Sequence, residues 1–92
     1  MNPYGAKARN HWKRWLPKRY SQIKDPETFF SNLGEEIEAR VEELSQGLAG
    51  SDHPGEGFHE KLGRLNMAHF NAESQALREM ALIDPEPEMA DR

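Results

Sequence analysis

From Phe30 onward the apolar residues Phe30, Leu33, Ile37, Val41, Leu44 and Leu48 recur at steps of 3, 4, 4, 3 and 4. An α-helix turns about 100° per residue and gathers this series into one stripe, whereas a strand would scatter it over both faces. A stripe about five turns long has to be covered, and covering it needs another element of similar length. Its start is equally marked. Asp25 supplies a cap for free backbone N–H groups, Pro26 has its φ preset for the first helical position, and Glu27 puts a negative charge at the positive end of the helix. Gly50 is a natural stop, and "AGSDHPGEG", residues 49–57, has the Gly, Pro, Ser and Asp content of a loop. The expected helix covers 26–48.

Candidates to cover the stripe lie on both sides of it in the chain. Phe58, Leu62, Leu65, Ala72, Ala76, Met80 and Ile83 form one stripe of a helix expected over 56–83, ended by Asp84 and Pro85. Phe70 and Leu77 form a second stripe about 100° away, and two stripes imply two neighbours. The short loop makes these two helices an antiparallel hairpin. Upstream, Asn2 caps and Pro3 opens a helix expected over 4–16, because Pro17 disfavours helix in the residue before it; Pro17 can open one further turn through Ile23. Tyr4, Ala8, Trp12, Trp15 and Leu16 share one arc of this helix and Lys7, Arg9, Lys13 and Arg14 the other, so both tryptophans are expected inward, with Ala72 and Ala76 leaving room for such bulky groups. The expectation is an all-α, three-helix bundle in one domain over residues 1–84, with a disordered acidic tail over 85–92. At 1.5 Å per residue the N-terminal helix is about 20 Å long, against about 35 and 42 Å for the hairpin helices. It leaves an apolar strip bare, which points to a homodimer or to another protein.

Charge is divided by position. Residues 1–24 hold Lys7, Arg9, Lys13, Arg14, Lys18, Arg19 and Lys24 and no acid, whereas residues 25–92 hold five cations against all sixteen acids, a balance of −11. The net −4 hides two surfaces with different work, or two parts of one fold that attract each other. Hydrophobic residues are a lean 36%, so in 92 residues much surface stays poorly buried. Without cysteine there is neither a disulfide framework nor a cysteine metal site, and a reducing compartment fits. The first twenty residues lack the apolar core of a signal peptide, and no run approaches the roughly 18 apolar residues of a membrane span, so a cytoplasmic location with no membrane contact is expected.

Three groups of residues are candidates for chemistry. The basic segment "HWKRWLPKRY", residues 11–20, with the flanking cations, makes Lys7, Arg9, Lys13, Arg14, Lys18, Arg19 and Lys24 a candidate partner- or anion-binding surface. Its target is phosphate, an acidic protein surface or this protein's own acidic middle helix. Glu35, Glu36, Glu38, Glu42 and Glu43 lie on the outer arc of that helix, where no pocket perturbs them for acid and base chemistry, and Glu36 with Arg40 reads as an i,i+4 pair. His69 sits on the main apolar stripe with Glu73 one turn later, which reads as a buried, hydrogen-bonded histidine before it reads as a metal site. "EGFH", residues 56–59, has the Glu-x-x-His spacing of di-iron bundles but lacks the second copy and the further inward carboxylates. With no nucleophile beside a base, P-loop or dinucleotide motif, a non-enzyme without cofactor or metal is expected.

Three segments in order, "YGAKARNHWKRWLPKRYSQI", "FFSNLGEEIEARVEELSQGL" and "KLGRLNMAHFNAESQALREM", resemble the small TnpV-like proteins of bacterial transposons and related mobile elements. The shared pattern is a Tyr-Gly start, a basic segment ending near a proline and a tyrosine, and long helices thereafter, over residues 4–83. The resemblance implies an intracellular accessory protein of a mobile element, plasmid or phage, with no catalytic residues to carry over. Proteins of that size and source often bind a host or element protein, including defence nucleases that they inhibit. The competing expectation is an accessory DNA- or RNA-binding protein that uses the basic segment.

Overall fold

The computed structural model describes residues 1–87, and all of its elements are helices: α1 Pro3–Trp15, α2 Pro17–Ser21, α3 Pro26–Ala49 and α4 Phe58–Met80. No strand occurs among the described residues. The long hairpin with a shorter N-terminal helix is therefore the architecture, with α2 as the extra turn that Pro17 opens.

Local chemistry sets the ends. The Asn2 side chain accepts from the Gly5 N–H at 2.9 Å, and Asp25 accepts from the Thr28 N–H at 3.2 Å and from its hydroxyl at 2.7 Å, so both long N-termini have part of their free N–H groups satisfied. These two bonds hold the Asp25 carboxyl below its usual range. Gly50 closes α3 at φ 67°, a left-handed conformation that a glycine adopts without steric cost. Between α3 and α4 the turn is tied by Arg64. Its guanidinium donates to Glu56 at 2.8 and 3.0 Å, to Asp52 at 3.4 Å and to the Ala49 carbonyl, the last of these satisfying an end of α3. Lys61 reaches the other Asp52 oxygen at 2.9 Å.

Helix α1 runs antiparallel to α3, as contacts at its start and its middle show: Asn2 Nδ2 donates to Glu38 at 3.3 Å, and Arg9 meets Glu27 at 3.5 Å. The two backbones meet at a pair of glycines. A Cβ on Gly5 would collide with the Phe30 carbonyl oxygen, and one on Gly34 with the Asn2 side chain and the Gly5 nitrogen. Small residues here let the helices touch main chain to main chain.

The core is thin and rich in alanine: Ala8, Phe30, Ile37, Val41, Ala72, Ala76, Leu77 and Ala81 are buried, ringed by Tyr4, Trp12, Tyr20, Ile23, Leu33, Leu44 and Met80. Phe30 anchors an aromatic cluster, with Trp12 edge-on at 5.6 Å, Tyr20 stacked at 6.0 Å and Phe29 edge-on at 4.8 Å. The molecule measures 53 × 30 × 16 Å, so a 13-residue α1, about 20 Å long, spans well under half of its length.

Three expectations change. Trp15 is only half-buried and stands beside Arg14, whose guanidinium lies 5.0 Å from the indole centre; the cations and the aromatic rings of this segment do touch. Helix α4 ends at Met80 rather than 83, since the Leu82 N–H turns back to the Leu77 carbonyl at 2.7 Å. The chain then crosses to α1, where His11 Nε2 lies 2.8 Å from the Ile83 carbonyl. Residues 85–87, expected in a disordered tail, lie against the α1–α2 joint: Glu86 is 9% exposed, its N–H bonds the Trp15 carbonyl at 2.9 Å and its carboxylate accepts from the Lys18 N–H at 2.7 Å. Pro17 is the reason. By breaking the helical ladder it opens this joint to Glu86, which bonds both groups. The rest of the expected tail, residues 88–92, lies outside the described residues.

Candidate functional site

The basic surface is assembled by α1, the proline break and α2. Lys7, Lys13, Arg14, Lys18, Arg19 and Lys24 are exposed, and Arg9 is half-buried against Glu27. Part of this charge serves the fold: Lys13 Nζ lies 5.6 Å from the Tyr20 ring centre, Arg14 covers Trp15, and Arg9 pairs with Glu27, although its Nε is buried with no hydrogen-bond partner among the described residues. Arg19 lines an open recess of about 270 Å³ with Leu16 and residues 83–87. The Trp12 indole lies against Phe29 and Phe30, and its Nε1 is buried without a partner. Its ring is taken up by the core.

The acidic face of α3 is exposed, as its outer-arc placement predicts, but its pairing differs. Arg40 turns from Glu36 to Glu43 at 3.1 Å and across to Glu79 on α4 at 3.5 Å. That second contact ties the two hairpin helices. A surface pair of this kind adds little stability.

His69 corrects the sequence reading more sharply. It lies on the stripe, yet its side chain is 55% exposed, with Nε2 3.4 Å from Glu73 Oε1. Helix α1 begins at Pro3, with Asn2 and Tyr4 bonding Glu38 and Glu73, so His69, one turn before Glu73, sits at the level where that helix starts. The Tyr4 hydroxyl takes the other Glu73 oxygen at 2.8 Å, and burial together with this hydrogen bond pushes the phenol up to about 12. Among the described residues no group of three or more His, Asp or Glu is placed to hold a metal ion, and Glu56 is engaged by Arg64. No helix among them is long and apolar enough to cross a membrane.

Beyond Tyr4 the cleft between α3 and α4 lies open. A groove of about 410 Å³ is lined by Tyr4, Glu38, Val41, Glu42, Ser45, Gln46 and His69. Leu65 and Leu62 stand four and seven residues before His69, and Leu48 seven after Val41, so helical geometry carries the same faces toward the hairpin tip. All three are exposed, and Phe58, one turn further, is 75% exposed. The second expected stripe is divided: Leu77 is buried, whereas Phe70 is 63% and Met67 60% exposed. The uncovered strip expected from helix lengths is present and can be placed.

Comparison of the chain with protein-family models, curated proteins and solved structures finds no match to any of them. Function is accordingly argued from the site itself. Sequence reasoning missed two contributors, the Gly5–Gly34 crossing that fixes where α1 sits and the Glu86 carboxylate at the α2 start. A partial sequence signal existed for the first alone: Gly5 and Gly34 interrupt helical patterns, but so do Gly47 and Gly63, whose positions are open among the described residues.

Proposed function

We propose that this protein is a non-enzymatic α-helical interaction module that acts by binding another protein, as an accessory of a mobile element, plasmid or phage. The observation that carries it is the row Phe58, Leu62 and Leu65, exposed on a helix whose other half contributes the buried Ala72, Ala76 and Leu77 to the core. A small single chain that leaves a contiguous apolar row beside a groove loses free energy unless something covers it. The charge division supports recognition, because the same molecule offers an acidic α3 and a basic α1–α2 segment to different parts of a partner. The mobile-element setting, a cytoplasmic site of action and the possibility that the target is a host defence nuclease rest on the resemblance to TnpV-like proteins.

The experiment is capture from a host lysate with tagged wild-type protein and with Leu62→Ser/Leu65→Ser, followed by mass-spectrometric identification. A protein retained by the wild type and lost by the variant is the expected result. A second reading, accessory nucleic-acid binding, is favoured by the exposed Lys7, Lys13, Arg14, Arg19 and Lys24 in a stretch without acids. It predicts tight DNA or RNA binding at physiological salt that falls steeply as salt rises and disappears in Lys13→Gln/Arg14→Gln/Lys18→Gln/Arg19→Gln. Such binding, with no protein captured, would replace the first reading by the second.

A further inference from the structure

The hairpin already holds one amphipathic helix and has space for another. Helix α1 places Tyr4, Ala8 and Trp12 against the hairpin, carries Lys7, Arg9, Lys13 and Arg14 without an acid, and is fastened at its margins to carboxylates: Asn2 to Glu38, Tyr4 to Glu73, Arg9 to Glu27. Past Tyr4 the groove has Val41 in its lining, with Glu38 and Glu42 on the α3 side, and toward the tip helical spacing continues these faces with the exposed Leu48 of α3 and Leu65 and Leu62 of α4. Glu42 has no ion pair among the described residues, and Glu38 has only the Asn2 amide. The stretch from the buried Val41 to Ala49 on one wall and from Phe58 to His69 on the other measures about 13 to 18 Å, or roughly two to three helical turns.

We infer that the tip half of the hairpin groove seats a short amphipathic helix of a partner protein, aliphatic on one face and bearing lysine or arginine along the edge that meets Glu38 and Glu42. The inference rests on the interaction reading above and names the partner's chemistry. A second copy of this chain is the poorer occupant. An isologous contact brings the same surface twice, and this one brings Glu38 and Glu42 from each side with no free cation among the described residues of the groove lining. An incoming basic helix instead pairs its charges with these carboxylates while its aliphatic face covers the leucines, the helix-in-groove mode of recognition.

The test uses the full chain and a synthetic probe: a fluorescent 14-residue helical peptide with leucines at spacings of three and four and lysines flanking them, beside the same peptide with glutamates for the lysines. Anisotropy titrations at physiological salt are expected to show the lysine peptide binding at least about tenfold more tightly than the glutamate peptide. Leu62→Ser/Leu65→Ser and Glu38→Gln/Glu42→Gln should each weaken it about tenfold, and Glu35→Gln/Glu36→Gln, on another part of α3, should leave it unchanged. If the double Gln variant melts lower than the wild type, Glu42→Gln alone replaces it, since Glu42 bonds nothing within the described chain. Equal weakening by Glu35→Gln/Glu36→Gln, or equal affinity for the glutamate peptide, overturns the inference by reducing it to unspecific attraction. A stable dimer dissociated by Leu62→Ser/Leu65→Ser overturns it in favour of a second copy. Failure here and failure of the interaction reading are separable: a lysate protein that needs Leu62 and Leu65 but docks an acidic or non-helical segment sinks the basic helix and keeps the reading, whereas specific peptide binding with no such protein does the reverse.

Discussion

Gly34 and Gly5 do more for the tertiary structure than their lack of a side chain suggests, because they allow α1 and α3 to approach at main-chain distance and so set where α1 stops. Gly34→Ala is expected to destabilise by about 2 kcal/mol or more, since the helix-propensity gain of about 1 kcal/mol is outweighed by a collision with Asn2 and the Gly5 nitrogen. Chemical denaturation checks it, and an alanine variant as stable as the wild type would mean that the helices can separate at no cost. Trp12→Ala should lose roughly 3 to 5 kcal/mol, as an aromatic truncation in contact with Phe30 does, while Trp15→Ala, half-buried under Arg14, should lose less. Tyr4 adds a pH signature. Its phenol is held up to about 12 by burial and by the bond to Glu73, so the folded state keeps its proton longer than the unfolded chain. That contribution is complete below pH 10 and is lost as pH rises from about 10 through 12; Tyr4→Phe should abolish this part of the alkaline decline, read by urea midpoints alongside tyrosinate absorbance.

At the scale of elements, α3 is legible because its heptad-like period, Asp-Pro start and glycine stop agree with one another. Helix α4 is legible as a helix but not in its use, since the same stripe is core at Ala72 and Ala76 and surface at Phe58 and Leu62. The turn between them should be acid-sensitive. Arg64 holds the Glu56 carboxyl, and chiefly Lys61 the Asp52 carboxyl, below their ordinary ranges, so their stabilisation is present above the unfolded values and is lost as pH falls through the folded ones. Urea midpoints between about pH 5 and pH 3 should therefore fall less steeply in Arg64→Met than in the wild type. Parallel slopes would show that the turn contributes nothing there. The α1–α2 joint depends on a residue far away in sequence: Glu86→Ala is expected to cost about 0.5 to 2 kcal/mol, the range for a lost side-chain cap, with Glu86→Gln retaining part because its carbonyl can still accept from Lys18.

For the whole molecule, the deciding quantity is the mismatch between a 13-residue α1 and a hairpin built of helices of 24 and 23 residues. A core of alanines and few large residues does not extend to the tip, so the tip stays available for binding and is held in place by the Arg64 network. Light scattering of the purified chain is expected to show a 10.6 kDa monomer that binds a hydrophobic dye, with Leu62→Ser/Leu65→Ser reducing the dye signal without changing the melting temperature. A monomer that ignores the dye would remove the basis of the interaction reading.

The helices, their order, the hairpin and the shortfall of the N-terminal helix are written in local sequence, because periodicity, caps and proline positions act within a few residues of where they are read. Even the bare strip follows from lengths alone. Which residues form it depends on tertiary packing: the glycine crossing fixes α1 toward the open end of the hairpin, and on one stripe of α4 Ala72 and Ala76 are buried while His69, Leu62 and Phe58 stay in solvent. Helical spacing fixes the direction of a side chain from its own axis, but whether anything stands opposite depends on where a distant segment comes to rest. Glu86 differs for the same reason. Pro17 announces a break in the helical ladder, and only the folded chain brings Glu86, 68 residues away from Lys18, to bond the Trp15 carbonyl and the Lys18 N–H there.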